Sequence, residues 1–112
     1  RVEGAVALVR TGGDRAGPIG VVLDALFVPD AIDREYAARA LLRLGAAPVA
    51  DWLAALLARG AGRVTAATGA ISGAPEDERA FLPAELSRLC GSRDARLAAG
   101  ARSALDVLLQ AR

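Results

Sequence analysis

The sequence predicts an all-α fold in which two-helix units stack side by side. Three observations carry that expectation. Apolar residues recur at spacings of three and four through nearly every segment, and few stretches alternate with period two. Glycine and proline cut the chain into helix-sized pieces. The order of those pieces then repeats. With 112 residues the chain is long enough for one domain with a modest core.

Pro29–Gly45 is the clearest element and reads as turn, helix and stop. Pro29 and Asp30 close a turn, and Asp30 is placed to cap the helix by accepting from free backbone N–H groups. Tyr36, Ala37, Ala40, Leu41 and Leu44 form the apolar stripe, and Gly45 ends the helix where a left-handed residue costs least. Ala37, Ala38 and Ala40 leave room for another helix to approach closely. Upstream, Arg1–Arg10 carries Val2, Val6 and Val9 on one face and reads as the tail of a helix whose partner precedes it. Thr11–Gly17 is a loop by composition. Pro18 suits a first turn, and Ile19, Val22, Leu23, Leu26 and Phe27 follow as a stripe to about Val28. That run is β-branched enough to suit a strand, but its spacing favours a helix.

Downstream, Pro48 opens a helix with Val49, Trp52, Leu53, Leu56 and Leu57 on its stripe, stopping near Gly60. Ala61–Ser72 follows, with Val64, Ala67, Thr68 and Ile71 facing inward. It is the weakest helix, because Gly62, Gly69, Thr65 and Thr68 all lower helix propensity. Gly73–Glu78 is an acidic loop or first turn. Phe81, Leu82, Leu86 and Leu89 mark the next helix, which Pro83 either kinks or begins. Gly91 and Ser92 turn the chain. The last helix, about Arg93 to Ala111, carries Leu97, Ala101, Ala104, Leu105, Leu108 and Leu109.

A fixed period is the strongest signal. When Pro18, Pro48 and Pro83 are aligned as openers of first helices, Leu41, Ile71 and Leu105 fall 23, 23 and 22 residues later. The turn between the two helices of each unit falls at Asp30, Gly60 and Asp94. One such unit cannot bury its apolar face alone, and stacking supplies the missing cover. The units run about 18–45, 48–73 and 76–112 within a single domain, 1–112. The partial helix at Arg1–Arg10 and the absence of Met at position 1 point to a piece of a longer array.

The motif P-D-x-x-x-R-x-x-A-A-R-A-L-x-R-L-G at Pro29–Gly45 resembles the second helix of a HEAT or HEAT-like repeat. Ser92–Leu97 through Ala104 and Leu105 is a looser copy, and Pro83–Leu89 resembles a first helix. The resemblance covers most of residues 18–112. It implies an α-α superhelix, a right-handed α-solenoid of about three HEAT-like hairpins plus a partial N-terminal one. In that family an Asp in the turn and an Arg early in the second helix often build a hydrogen-bonded ladder between neighbours. Asp30 and Arg34 match that pair. Asp94 matches the Asp, but the Arg position falls at Ala98, with Arg96 two residues before it. The middle unit has Gly60 and Val64 there, so the ladder is expected to break. Armadillo repeats, with three helices per unit, are the neighbouring alternative, and the extra length between Ile71 and Pro83 has room for a short additional helix.

The resemblance further implies a protein-protein interaction or scaffold module, cytoplasmic, whose second helices line a concave face. The outward candidates are Glu35, Arg39 and Arg43, then Arg63, then Arg102 and Asp106. Read functionally, the four arginines line a groove for a partner protein with an acidic surface. Read blandly, they belong to a solvated helix face with Glu35 and Arg39 as an i,i+4 pair. The alternative functions are an accessory or regulatory domain of an enzyme, such as the lyases built on HEAT-like repeats, or a nucleic-acid-binding HEAT-like module.

Composition narrows these. All 14 basic residues are Arg, and against 13 acidic residues they leave a net charge of +1, which gives no pull toward nucleic acid. The apolar runs Ala5–Val9 and Val21–Leu23 are too short to span a bilayer. With no His and one Cys, a Ser–His–Asp or Cys–His site within the chain is excluded, as is an intramolecular disulfide. No enzyme activity, metal, cofactor or small-molecule ligand is therefore expected. Trp52, Tyr36 and Cys90 read as core residues. Glu76-Asp77-Glu78 reads as the negative first turn of a helix, ahead of a weak cation site.

Overall fold

In the computed structural model, which describes residues 16–110, all regular structure is helical. The helices are α1 (Ala16–Ala25), α2 (Ala31–Arg43), α3 (Val49–Arg59), α4 (Ala61–Ser72), α5 (Glu76–Arg79), α6 (Leu82–Leu89) and α7 (Ala95–Gln110). The helix tail expected at Arg1–Arg10 lies outside the described residues, and α1 takes in Ala16 and Gly17 from the expected loop. No described helix is long and apolar enough to cross a membrane.

Local chemistry sets the ends of these helices. Asp30 is extended, and its Oδ1 accepts from the N–H groups of Ile32 and Asp33 at 2.8 and 3.2 Å, which satisfies two of the orphan donors at the start of α2. Asp94 does the same for α7, accepting from Arg96 and Leu97 at 3.0 and 3.2 Å. Gly45, at φ 83°, takes the left-handed conformation that follows α2. Pro83 falls at the start of α6, where its missing N–H is not needed, so it begins the helix and does not kink it. The extra length before it forms α5, a single turn.

Helices adjacent in sequence pack as pairs: α1 with α2, α3 with α4, α6 with α7. The first helices of successive pairs touch, α1 with α3 and α3 with α6. The second helices do likewise, α2 with α4 and α4 with α7, and α3 also meets α7. One core runs from Ile19 in α1 to Leu108 in α7, and Trp52, Leu53, Leu56 and Leu41 are buried within it. Trp52 is thus a core residue, as its helical neighbours suggested. The Cα radius of gyration, 12.8 Å, matches the value of about 13 Å usual for a compact domain of this size.

Burial corrects the stripe assignments at three positions. Tyr36 is 44% exposed and lies on the outward face of α2, because Ala38 and Leu42 complete the buried side in its place. Leu109 is 50% exposed. Leu105 is only half-buried, and Ala104 and Leu108 take the inward positions. The buried alanine-then-aliphatic pairs, four residues apart, are Ala37 and Leu41, Ala67 and Ile71, Ala104 and Leu108. The third pair lies further from its proline than the first two. The phase of α7 is fixed by its contact with α3 as well as α4, and the proline count carries no information about that contact.

At the α3–α7 contact a Cβ added to Gly100 would meet Leu57 Cδ1 at 2.9 Å, so the Leu57 side chain would have to shift to admit it. A Cβ on Gly69, on the exposed side of α4, would meet nothing within 4 Å.

Leu41→Ala and Leu108→Ala should each lower unfolding free energy by roughly 2–5 kcal/mol, and Leu105→Ala by less than either. Chemical denaturation of the three variants tests this order. The same measurement should separate two glycines. Gly69→Ala should stabilise by about 0.5–1 kcal/mol through helix propensity, while Gly100→Ala should gain less than Gly69→Ala, because Leu57 must shift to admit the methyl group.

Candidate functional site

The outward face of α2 is built by the same periodicity as its buried face. Ile32, Tyr36, Arg39 and Arg43 follow one another at spacings of three and four, with Glu35 beside Tyr36, opposite Ala37 and Leu41, and the five line a groove of about 320 Å³. Ile32 is 77% exposed. The groove therefore carries two apolar side chains beside one carboxylate and two guanidinium groups.

Arg39 and Arg43 stand one helical turn apart, and both reach Glu78 on α5. Arg39 Nε donates to Glu78 Oε2 at 2.8 Å and its Nη2 to Oε1 at 3.0 Å, a two-pronged pairing. Arg43 Nη2 lies 3.5 Å from the same Oε1. The Glu78 side chain is 19% exposed, against 38% for Arg39 and 53% for Arg43. The hydrogen bond from Arg39 holds the Glu78 carboxyl below its ordinary value, with the charges of Arg39 and Arg43 acting in the same direction. Glu78 in turn raises the Arg39 guanidinium, by hydrogen bond first and charge second. The acidic turn is thus a first turn as expected, but Glu78 is spent on α2 and not on the dipole of its own helix.

The six candidate residues do not gather in one place. Glu35, Arg39 and Arg43 share the α2 groove. Arg63 lies over the Phe27 ring, 4.6 Å from its centroid, a cation–π contact that ties the start of α4 to the turn after α1. Arg102 and Asp106 approach each other at 3.7 Å along α7, both exposed. The groove of four arginines is replaced by one with two arginines that share an internal carboxylate. The i,i+4 pairing of Glu35 with Arg39 gives way to the pairing with Glu78, and Glu35 acts on Arg39 only through its charge.

The expected Asp–Arg ladder is also corrected. Asp30 caps its own helix, and Arg34 Nη1 donates to the carbonyls of Val28 and Pro29 at 2.7 and 2.6 Å, within the same turn. The links between pairs come from other arginines. Arg96 Nη2 donates to the Leu57 carbonyl at 2.8 Å, near the end of α3, which also accepts from the Gly60 N–H at 3.1 Å. Arg59 pairs with Asp24 of α1. Arg96 is the residue two positions before the expected one, and its offset suits a carbonyl of α3, which a side chain further along α7 would not reach as readily.

Neither the pairing of Glu78 with α2 nor the exposed Ile32 is among the expected features of the site. Nothing local marks Glu78, since its partners are 39 and 35 residues away. Ile32 had a signal: with Tyr36 it makes a second apolar i,i+4 pair, off the Ala37–Leu41 stripe. Cys90 is half-buried against the core and unpaired among the described residues.

Comparison with known proteins adds no relative: no family model, no curated protein and no solved structure matches the chain.

The Glu78 pairing predicts the sign of a pH dependence. A carboxyl held lower in the folded chain stabilises it fully above the ordinary glutamate value of 4.5, and that contribution is lost as pH falls through the lower folded value. Glu85, held low by its hydrogen bond from Arg88, acts in the same sense. Thermal melts should therefore show a shallower loss of Tm below pH 4.5 for Glu78→Gln than for the unmodified chain, with parallel curves above it.

Proposed function

We propose that the chain is a segment of a HEAT-like α-solenoid and works as a protein-interaction or scaffold surface. The order of helix contacts supports the solenoid reading: pairs pack within themselves, first helices meet first helices and second helices meet second helices, with α3 against α7 as a further contact between the two rows. The single-turn α5 gives the last unit a third helix, in the manner of armadillo repeats. The right-handed sense and the concave placement of the second helices are what the resemblance supplies.

The observation that carries the interaction reading is the outward face of α2. An isoleucine 77% exposed and a tyrosine 44% exposed share a groove with two arginines and a glutamate. Apolar anchors ringed by groups that hydrogen-bond are the composition of protein-binding surfaces, and arginine and tyrosine are enriched where binding energy concentrates. The balanced charge of +1 favours this reading over a nucleic-acid one.

Affinity capture from the source cell should recover a stoichiometric partner. Ile32→Glu should weaken its binding, measured by titration of the purified pair, by tenfold or more, as a truncated or charged hot spot does at roughly 1.4 kcal/mol per decade. Binding unchanged by Ile32→Glu and by Tyr36→Ala would refute this face as the contact.

A further inference from the structure

We propose that Arg39 and Arg43 form a carboxylate seat for an acidic peptide segment of a partner protein, and that Glu78 occupies this seat in cis until the partner displaces it. The proposal rests on the interaction-surface reading above and names the chemistry of its partner.

Four observations point there. First, α5 is four residues long and buries none of them. It packs on α2, and its carboxylate, not apolar surface, makes the tie. Ala74 and Leu82, on either side, are buried, so the turn has anchored ends. Lifting Glu78 out of the seat withdraws no apolar residue of α5 from the core. Second, the chain itself shows what the seat accepts: the seated residue closes the run Glu76-Asp77-Glu78. Third, the seat is unevenly filled. Arg39 is engaged through two nitrogens, but Arg43 only through Nη2 at 3.5 Å, with its side chain 53% exposed at the groove. A guanidinium has five donors, and a second carboxylate would find several of them. Fourth, the groove continues from the seat to Ile32 and Tyr36. A peptide with a carboxylate on Arg39 and Arg43 would lay an apolar side chain against Ile32, two to three turns nearer the start of α2.

The exchange replaces one arginine–carboxylate pairing with another, so its chemistry is nearly balanced. What favours Glu78 is tethering, which gives the internal carboxylate a high effective concentration. The apparent affinity for an external acidic segment is then reduced by the fraction of time the seat stands open. Partner binding and release of α5 are the same event.

The test is fluorescence anisotropy of labelled oligoglutamate titrated with the full 112-residue chain at low ionic strength. Glu78→Gln should bind roughly tenfold tighter than the unmodified chain, because the seat is no longer filled from within. Adding Arg39→Gln to Glu78→Gln should abolish the gain. Equal or weaker binding by Glu78→Gln, with its helix content intact by circular dichroism, would overturn the proposal. If Glu78→Gln loses helix content, the decision passes to NMR of the unmodified chain with excess oligoglutamate. Shifts at the Arg39 and Arg43 Nε–H groups and the residue 76–79 amides support the seat; shifts confined to other residues overturn it. Binding of a single-stranded oligonucleotide without binding of oligoglutamate also overturns it. A seat lost in this way, with partner capture still sensitive to Ile32→Glu, leaves the interaction surface standing.

Discussion

The fold depends on two helices that each reach all three pairs: α3, which meets α1, α4, α6 and α7, and the thinner α4. Helix α4 touches α2, α3 and α7, and so joins all three pairs. It does so with a small inward face: Val64, Ala67, Thr68 and Ile71 are the buried side chains. Thr68 is the sole buried polar residue among those described, and its hydroxyl donates to the Val64 carbonyl one turn back at 2.7 Å, so nothing polar is stranded. Small residues on a helix let a neighbouring side chain pack close to its axis, as Gly100 does for Leu57. Gly62, Thr65 and Gly69 on its exposed side, with Thr68 inside, give α4 the poorest intrinsic tendency to be helical. It is helical because burying its inward face against three neighbours outweighs propensity.

Arginine performs most of the polar fastening. Arg34 closes the turn before α2, Arg96 covers the end of α3, Arg79 donates to the Ala74 carbonyl, and Arg59 ties α3 to α1. Each task suits a planar group with several donors at the end of a long stem, and lysine would serve each less well. Part of the uniform use of arginine is thus accounted for by specific contacts to helix ends and turns. Positive groups at the last carbonyls of a helix also complement its dipole.

How much of this could be read from the residues alone follows from the range of each interaction. Asp30 and Gly45 were legible because a cap and a left-handed stop are decided within a few residues. The inward face of α4 was legible because a helix buried between neighbours must show its period. Tyr36, Leu105 and Leu109 were misplaced because an apolar stripe wider than the available partner gives several equal choices, and only the packed neighbour selects among them. Glu78 was illegible as a partner of Arg39, since no local rule reaches across 39 residues. For the same reason the candidate groove was half visible: Glu35, Arg39 and Arg43 announced themselves by spacing, while the carboxylate that fills the seat did not.

The central claim is that α4, weakest by propensity, belongs with α3 to the packing hub. Native-state hydrogen exchange measured against denaturant tests it directly. If α4 is part of the hub, the amides of Val64, Ala67, Thr68 and Ile71 open only with global unfolding, together with those of Leu53, Leu56 and Ala104. Exchange of the α4 amides through a smaller, separate opening, while α2 and α7 stay protected, would contradict the account.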